Sequence, residues 1–166
     1  MNNNNQHRSG KKAKTIHVDI VGAEGMTFTG SAYMIVAPTV MGEVGILPGH
    51  SPLLTRLEPG EVRLTISEEE EKLLIYISGG MMEVQPSAVT ILSDTALRAD
   101  AIDEASALAA KRRAQEAMLT QGKSGFDYAK AQNELAQAVA QLRTLEDSKK
   151  RSRRGFSRER VDHHSQ

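Results

Sequence analysis

Apolar residues recur at every second position in short runs between Thr15 and Leu97. In the first run, Ile16, Val18 and Ile20 share one face. The same alternation returns in four later runs: Val62, Leu64 and Ile66; Leu73, Ile75 and Ile77; Met82 and Val84; and Val89 and Ile91. A period of two predicts β-strands that bury one face.

Turn-forming pairs separate these predicted strands. Pro59-Gly60, Gly79-Gly80 and Pro86-Ser87 stand between successive runs, a spacing that is typical of hairpins in sequence. Each strand has an apolar face that another layer has to cover. With so many short strands in about 83 residues, two sheets packed face to face are the simplest arrangement, and the sequence predicts an all-β sandwich.

From about Ala99 onwards, the composition changes to alanine, glutamate, glutamine, lysine and arginine, without proline. These residues favour helices. Asp100 is predicted to cap the first helix, Gly122 to end it, and Asp127 to begin a second one. The short connection predicts an antiparallel helical hairpin over residues 99–148.

The second predicted helix carries one narrow apolar stripe. Its members are spaced three and four residues apart: Tyr128, Ala131, Leu135, Ala138, Leu142 and Leu145. A buried alanine methyl contributes well under ~1 kcal/mol, compared with roughly 1.5 to 3 kcal/mol for a buried leucine. We therefore expect the hairpin to dock weakly on the sandwich and to be able to leave it.

Charge divides the 166-residue chain into an acidic body and two basic ends. Residues 1–14 carry four basic side chains and no acid, residues 149–166 carry seven basic side chains and two acids, and residues 15–148 have a net charge of −9. Neither end has apolar periodicity, so both ends are predicted to be disordered. The basic residues of the last segment are Lys149, Lys150, Arg151, Arg153, Arg154, Arg158 and Arg160.

The sequence contains no cysteine and no apolar run long enough to span a bilayer. Disulfides and cysteine-ligated metal sites are therefore excluded, and a reduced intracellular compartment is expected. The five histidines show no metal-ligand spacing, and no nucleophile has a recognisable base and orienting group. We predict no catalytic residue, no metal and no cofactor.

Residues 42–54 are richer in glycine and proline than a sandwich connection requires. Three glycines and two prolines fix the backbone path of this segment, which displays Glu43 and His50. A rigid loop loses little entropy on binding, so we interpret the segment as a docking surface. A tightly turned connection without a partner is the alternative.

Several motifs in fixed order are characteristic of one protein family. They are residues 45–54 (GILPGHSPLL), residues 78–80 (SGG) followed by Glu83-Val84, residues 127–129 (DYA) and residues 140–142 (AQL). Together they closely resemble the epsilon subunit of bacterial F-type ATP synthase over about residues 15–150. The resemblance implies a ten-stranded β-sandwich over residues 15–98 and a two-helix hairpin over residues 99–148, with both extensions outside the match.

The resemblance also implies a function. Epsilon subunits are non-catalytic rotor subunits of the central stalk, in which the sandwich joins the γ shaft to the ring of membrane c subunits. The hairpin restrains ATP hydrolysis when it extends into the α/β catalytic head. Such a subunit works at the cytoplasmic face of the bacterial plasma membrane, as a peripheral part of a proton-translocating complex.

Individual residues carry over by their position in the motifs. Glu43 matches the acid that faces the c ring, and Gly22, His50 and Thr55 match positions that pack against γ. Three cations of the first predicted helix are implied to meet an acidic loop of the catalytic β subunit: Lys111, Arg112 and Arg113. A solvated helix face is the alternative for these three cations.

Some relatives bind ATP at an Ile/Leu-Asp-x-x-Arg-Ala motif. The corresponding residues here form a degenerate version of it: Ile102, Asp103, Ser106 and Ala107. Serine replaces the arginine, and Gln137 and Gln141 occupy two further arginine positions. Because three cationic partners for phosphate are missing, we expect weak or absent ATP binding.

A second hypothesis treats the chain as an intracellular interaction module whose basic ends bind nucleic acid or anionic lipid. Such binding would be non-specific and salt-dependent. Phe156 is the only aromatic residue among the C-terminal cations, whereas stacking on bases uses several aromatic side chains. We therefore prefer the rotor function.

Overall fold

The computed structural model describes residues 14–69, 71–120 and 125–159. Within these ranges, eight strands are followed by a short 3-10 helix at Ala99–Ala101 and two α-helices. The strands are β1 (Ile16–Gly22), β2 (Gly25–Ala32), β3 (Met34–Thr39), β4 (Gly42–Ile46), β5 (Leu53–Thr65), β6 (Lys72–Gln85), β7 (Ala88–Leu92) and β8 (Ala96–Arg98). The helices are α1 (Glu104–Thr120) and α2 (Phe126–Glu159).

One hydrophobic core is built from the inner faces of the strands. The predicted alternation is confirmed, since Ile16, Val18 and Ile20 of β1 are fully buried. The later runs contribute Val62, Leu64, Ile75, Ile77, Met82, Val84, Val89 and Ile91 to the same core. Ile66 and Leu73, on either side of the β5–β6 turn, are partly buried against it.

The strands form one hydrogen-bonded network in the order β2-β1-β7-β6-β5-β3-β4, and β8 also pairs with β6. β1 and β7 are parallel, whereas the other pairs are antiparallel. β5 and β6 pair along most of their length, and β7 and β8 pair with different parts of β6. The sandwich is therefore confirmed, and its two layers are parts of one continuous folded sheet.

The strand number is smaller than expected because two predicted turns lie inside strands. Pro59-Gly60 falls in the middle of β5, and Gly79-Gly80 falls in the middle of β6. The φ angles of Gly79 and Gly80 are +106° and +128°, in the region that favours glycine. A Cβ atom at Gly80 would collide with the carbonyl oxygen of Leu92. These glycines bend a continuous strand instead of ending it.

The first helix begins after Asp103, so the prediction that Asp100 caps it is wrong. Asp100 lies in the 3-10 helix, and the extended backbone of Ile102 (φ −79°, ψ 122°) separates the two helical segments. Oδ1 of Asp103 accepts a hydrogen bond from the Ala105 amide at 3.0 Å. Asp103 is therefore the N-cap of α1.

α2 continues to Glu159, which corrects the prediction that the chain is disordered from residue 149. Lys149 Nζ lies 2.6 Å from Glu104 Oε2 on α1, and Lys150 pairs with acids one turn earlier on α2. These ion pairs favour helix where the local excess of cations predicts disorder. Residues 1–13 and 160–166, and the helix end expected at Gly122, lie outside the described residues.

The two helices pack along the predicted stripe. Ala131 and Ala138 of the stripe are buried, as are Ala107 and Ala114 of α1. The larger members of the stripe are half-buried: Tyr128, Leu135, Leu142 and Leu145. Small side chains on both helices allow the backbones to approach closely.

A second face of α2 packs on the sandwich. Ala140 forms a small cluster with Tyr76 of β6 and Ile102, and Leu97 packs at its edge. Thr144 is fully buried, and its hydroxyl donates a hydrogen bond to the Ala140 carbonyl oxygen at 3.0 Å. On the helix side, the contact consists of small and polar side chains. Weak docking of the hairpin stays a prediction, supported by this small apolar area.

Candidate functional site

An apolar row crosses the outer face of the layer formed by β2, β1, β7, β6 and β5. The strand register places Met26 opposite Val21 and Val21 opposite Leu92, and Leu92 is in turn opposite Met81. Met26 is 57% exposed and Leu92 is 54% exposed. Leu54 of β5, diagonally next to Met81, is 70% exposed. Four of these five neighbouring apolar side chains are exposed and Val21 is half-buried. Such a patch is a candidate binding surface, and the five residues are called the apolar row.

The alternating pattern of the sequence does not predict the apolar row, because it places polar side chains on the outer face of each strand. The available signal is a break in the alternation, at the adjacent apolar pairs Ile20-Val21, Met81-Met82 and Ile91-Leu92. One member of each pair lies in the core, and the other is turned outwards towards a partner or solvent.

Gly22 is the last residue of β1 and directly follows Val21 of the apolar row. A Cβ atom at this position would lie 3.2 Å from the amide nitrogen of Ala96, a separation tighter than ordinary van der Waals contact. Glycine therefore permits the close approach of β1 to the chain that enters β8. The groove beside it has a volume of about 470 Å³ and is lined by the β1–β2 turn and residues 94–97.

His50 lies in the loop between β4 and β5. Two backbone hydrogen bonds fix this loop, from the Gly49 amide to Pro86 O at 2.8 Å and from the His50 amide to Leu47 O at 3.0 Å. His50 Nδ1 donates to the Ser51 carbonyl oxygen at 2.7 Å. Leu47 is exposed. The loop therefore presents an apolar side chain and an imidazole on a fixed backbone.

The three positions expected to contact γ do not form one cluster. Gly22 lies at the C-terminal end of the parallel pair β1 and β7, whereas His50 belongs to a loop tied to Pro86, at the N-terminal end of that pair. Thr55 is opposite the buried Met82 and is half-buried itself. In this part of β5, the outward-facing residue is Leu54, the neighbour of Thr55 and a member of the apolar row.

Glu43 is held by Arg63 in a two-pronged ion pair. Nη1 and Nη2 of Arg63 donate to the two carboxylate oxygens at 2.9 Å and 2.8 Å. These hydrogen bonds lower the pKa of the Glu43 carboxyl below its ordinary value. The adjacent β3–β4 turn displays Val40 and Met41, and Met41 is 89% exposed. The turn offers a carboxylate of fixed orientation beside apolar side chains.

Glu43 also borders the contact between the sandwich and α2. A cavity of about 410 Å³ lies there, lined by Glu43, Glu61 and Arg63 on the sandwich and by residues of α2 that include Ala140 and Arg143. The charge of Arg143 contributes to the lowered pKa of Glu43. The sequence does not predict this proximity, because it depends on which face of α2 docks.

Two of the three candidate cations on α1 are exposed. Arg112 and Arg113 are exposed, whereas Lys111 is half-buried. Lys111 shares a face of the helix with Ala107 and Ala114, which are buried against α2. None of the three cations forms an ion pair or a side-chain hydrogen bond with a residue that the structure describes. Their charge faces solvent or a partner.

The degenerate ATP motif forms the junction between the sandwich and α1. Asp103 caps α1, and its Oδ2 accepts a hydrogen bond from the Ser106 hydroxyl at 2.6 Å, which lowers the pKa of Asp103. Ile102 and Ala107 are buried. The two glutamines at arginine positions are half-buried on α2: Gln137 and Gln141. Within the described ranges, no group of three or more metal-ligating side chains occurs.

Two family models match most of the chain. The beta-sandwich domain of the ATP synthase Delta/Epsilon chain matches residues 15–99, and the long alpha-helix domain of that chain matches residues 100–146. The chain belongs to the ATP synthase delta/epsilon chain family. The boundary between the two matches coincides with the change from strands to helices near Ala99.

Bacterial relatives are similar over almost their whole length. The ATP synthase epsilon chain of Halorhodospira halophila is 56% identical over 140 residues, which cover 84% of this chain and 99% of the relative. ATP synthase epsilon chain 1 of Methylococcus capsulatus is 59% identical over 139 residues, which cover 83% of this chain and 97% of the relative. The resemblance found in the motifs is confirmed. The chain is a stalk subunit of ATP synthase and is not itself catalytic.

Solved structures share the fold. A chain in the OSCP/F1/c-ring structure of Euglena gracilis mitochondrial ATP synthase superimposes with a TM-score of 0.64 and 23% identity, covering 81% of each chain. A chain from the central stalk and c-ring of Tetrahymena thermophila mitochondrial ATP synthase superimposes with a TM-score of 0.54 and 14% identity. The match covers 81% of this chain and 98% of the Tetrahymena chain. Among the described helices, none has the length and apolarity needed to cross a bilayer.

Proposed function

We propose that this chain is the rotor subunit that joins the γ shaft of a proton-translocating ATP synthase to its ring of c subunits, and that its hairpin restrains ATP hydrolysis. The apolar row is the observation that carries the proposal, because a stalk subunit of this family needs a surface that stays attached during rotation. The relatives described above are bacterial, which supports a location at the cytoplasmic face of the plasma membrane.

The apolar row is the proposed surface for γ. Covering exposed apolar area contributes about 25 cal/mol per Å². The row lies on a layer whose inner face forms the hydrophobic core, so docking has to order few side chains. Gly22 and the loop of His50 border this layer at opposite ends, and Thr55 supports it from the inner face.

The β3–β4 turn is the proposed surface for the c ring. Val40 and Met41 supply apolar area, and Glu43 supplies the charge. The Glu43 side chain remains 55% exposed although it is paired with Arg63. A cation on a facing loop would therefore meet a carboxylate that is already oriented, and little rotamer entropy would be lost on binding.

The helical hairpin is the proposed restraint on hydrolysis. α1 and α2 pack against each other through buried alanines, whereas α2 contacts the sandwich through the small cluster of Tyr76 and Ala140. The hairpin can therefore leave as a unit. In the extended state, Arg112 and Arg113 would meet the acidic loop of the catalytic β subunit, with Lys111 closer to the seam between the helices.

Binding to purified γ tests the proposal. Met81→Glu and Leu92→Glu together place two carboxylates in the apolar row, and we expect affinity for γ to fall about hundredfold or more, because buried unpaired charge is unfavourable. Glu58→Gln, an exposed position on β5, is the matched control and should bind like the wild type. Both variants should unfold in urea like the parent chain. Unchanged binding by the folded double variant would refute the proposed surface.

A further inference from the structure

Glu61 is a buried carboxylate at the contact between the sandwich and α2. Val62 and Leu64 of β5 lie in the core, so the alternation of the strand turns Glu61 and Arg63 to the outer face. α2 covers that face, and the Glu61 side chain retains only 7% exposure. Oε2 of Glu61 has no hydrogen-bond partner among the residues that the structure describes.

The charges that face Glu61 do not compensate its own charge fully. Arg63 Nη1 lies 3.8 Å from Glu61 Oε1, too far for a hydrogen bond, whereas both terminal nitrogens of Arg63 donate to Glu43 at 2.9 Å and 2.8 Å. α2 faces the carboxyl with one acid and two bases: Asp147, Arg143 and Arg151. An ionised Glu61 would therefore have a buried oxygen without a donor, close to a second carboxylate.

Burial raises the pKa of Glu61 above its ordinary value of 4.5, Asp147 raises it further, and the arginines oppose only part of the effect. Tyr76 is opposite Glu61 on β6, and its buried hydroxyl also makes no hydrogen bond of good geometry with the described residues. Burial raises the pKa of Tyr76 more than the nearby Gln141 lowers it. A neutral phenol supplies no positive charge, so this environment favours an uncharged Glu61.

We infer that Glu61 and Asp147 form a pH-sensitive latch, in which α2 docks on the sandwich with Glu61 protonated and loss of that proton to water favours release of the hairpin. When α2 leaves, Glu61 becomes an exposed residue on a sheet surface, where water hydrates its ionised form. The docked and released states therefore bind the proton with different affinity. The latch depends on contacts within the chain and not on the proposed docking to γ or to the c ring.

The direction of the pH effect follows from the raised pKa of the docked state. Well below pH 4.5, Glu61 is protonated in both states, and its contribution to docking is complete. As the pH rises from there through the raised pKa, the released state loses its proton first, and the docking equilibrium falls by up to about tenfold per pH unit. Above this window, the contribution of Glu61 is lost.

Two measurements on the full chain test the latch. Carbon-13 NMR of the Glu61 carboxyl should give a pKa above 4.5 in the docked protein. The chain has no native cysteine, so spin labels on cysteines introduced at the exposed Ser31 and Gln115 report the distance between sandwich and hairpin. We expect the released fraction to increase with pH across the window set by the NMR titration.

Three variants separate the latch from other titrations. Glu61→Gln preserves size and removes the titrating group, so it should flatten the pH dependence. Glu58→Gln, an exposed position on the same strand, should keep the wild-type dependence. Asp147→Asn should lower the pKa of Glu61 and narrow the window. The inference is overturned if Glu61 titrates at 4.5 in the full chain, or if Glu61→Gln shows the wild-type pH dependence. The NMR result decides even when the released fraction is too small to detect.

Discussion

Lys149 Nζ lies 2.6 Å from Glu104 Oε2, which joins the C-terminal part of α2 to the first turn of α1. The two residues are 45 positions apart in the sequence. Glu104 is also favourable where it stands, because a carboxylate complements the positive N-terminal end of a helix. Through this pair, Lys149 belongs to the packed hairpin, although its sequence surroundings predict a basic tail.

Loss of this ion pair should have a small, salt-dependent effect. Lys149→Gln should lower the local stability of the first turn of α1 by about 0.5 kcal/mol, since both partners are half exposed. Amide hydrogen exchange of that turn measures the change, with Lys130→Gln on the exposed face of α2 as the control. About 0.5 M salt should remove the difference, and a difference that persists in salt would point to packing instead of charge.

Gly80 should tolerate no side chain. Gly80→Ala would drive a Cβ atom into the carbonyl oxygen of Leu92 at a φ of +128°, and we expect a loss of about 3 kcal/mol or more in the free energy of unfolding. Gly45→Ala is the matched control, because a Cβ atom there has open space. Urea unfolding compares the two variants. Equal stability of the two would mean that the bend in β6 relaxes without penalty.

Local alternation made the core predictable, whereas the strand number depended on contacts between distant residues. Ile16, Val18 and Ile20 lie where a period of two places them, because each strand buries one face whatever its partners are. A glycine pair has the same appearance in the sequence at a turn and at a bend inside a strand. Gly79-Gly80 forms a bend and not a turn because β5 and β7 pair with β6 on either side.

The sequence predicts the parts of the candidate site whose exposure does not depend on contacts with distant residues. Glu43 is accessible at the start of β4, as its motif position implies, but the ion pair that fixes it comes from Arg63, 20 residues away. The burial of Glu61 arises only when α2 covers β5. The apolar row forms because five strands bring their outward-facing apolar residues side by side, and such alignment requires the register of the sheet.

The N-cap of α1 should weaken in acid. The pKa of Asp103 is lowered below 3.8, first by the Ser106 hydroxyl and then by backbone amides. The stabilisation is therefore complete above about pH 3.8 and is lost as the pH falls through the lowered pKa. Asp103→Asn, which keeps a capping oxygen without a charge, should remove this part of the pH dependence. Hydrogen exchange of the first turn of α1 measures it, and an unchanged acid profile would contradict the assignment.

ATP should not move the hairpin. Asp103 is occupied as the N-cap, and Ser106 stands where the motif of ATP-binding relatives has arginine. We expect the spin-label distance between positions 31 and 115 to be the same with and without magnesium ATP. Calorimetry on the unlabelled chain is the independent check. Saturable heat release together with a shift in the distance would show that other side chains replace the missing cations.

The exposed arginines of α1 should carry most of the restraint on hydrolysis. Arg112→Ala and Arg113→Ala together should increase the ATP hydrolysis rate of the reconstituted complex, because both guanidinium groups are exposed without a partner among the described residues. Lys111→Ala should have a smaller effect, since this side chain is half-buried beside α2. Lys130→Ala, an exposed cation on the other helix, is the matched control. A wild-type hydrolysis rate for both the double arginine variant and Lys111→Ala, with unchanged affinity for γ, would contradict this role. The three cations would then form a solvated helix face, and another part of the hairpin would have to restrain hydrolysis.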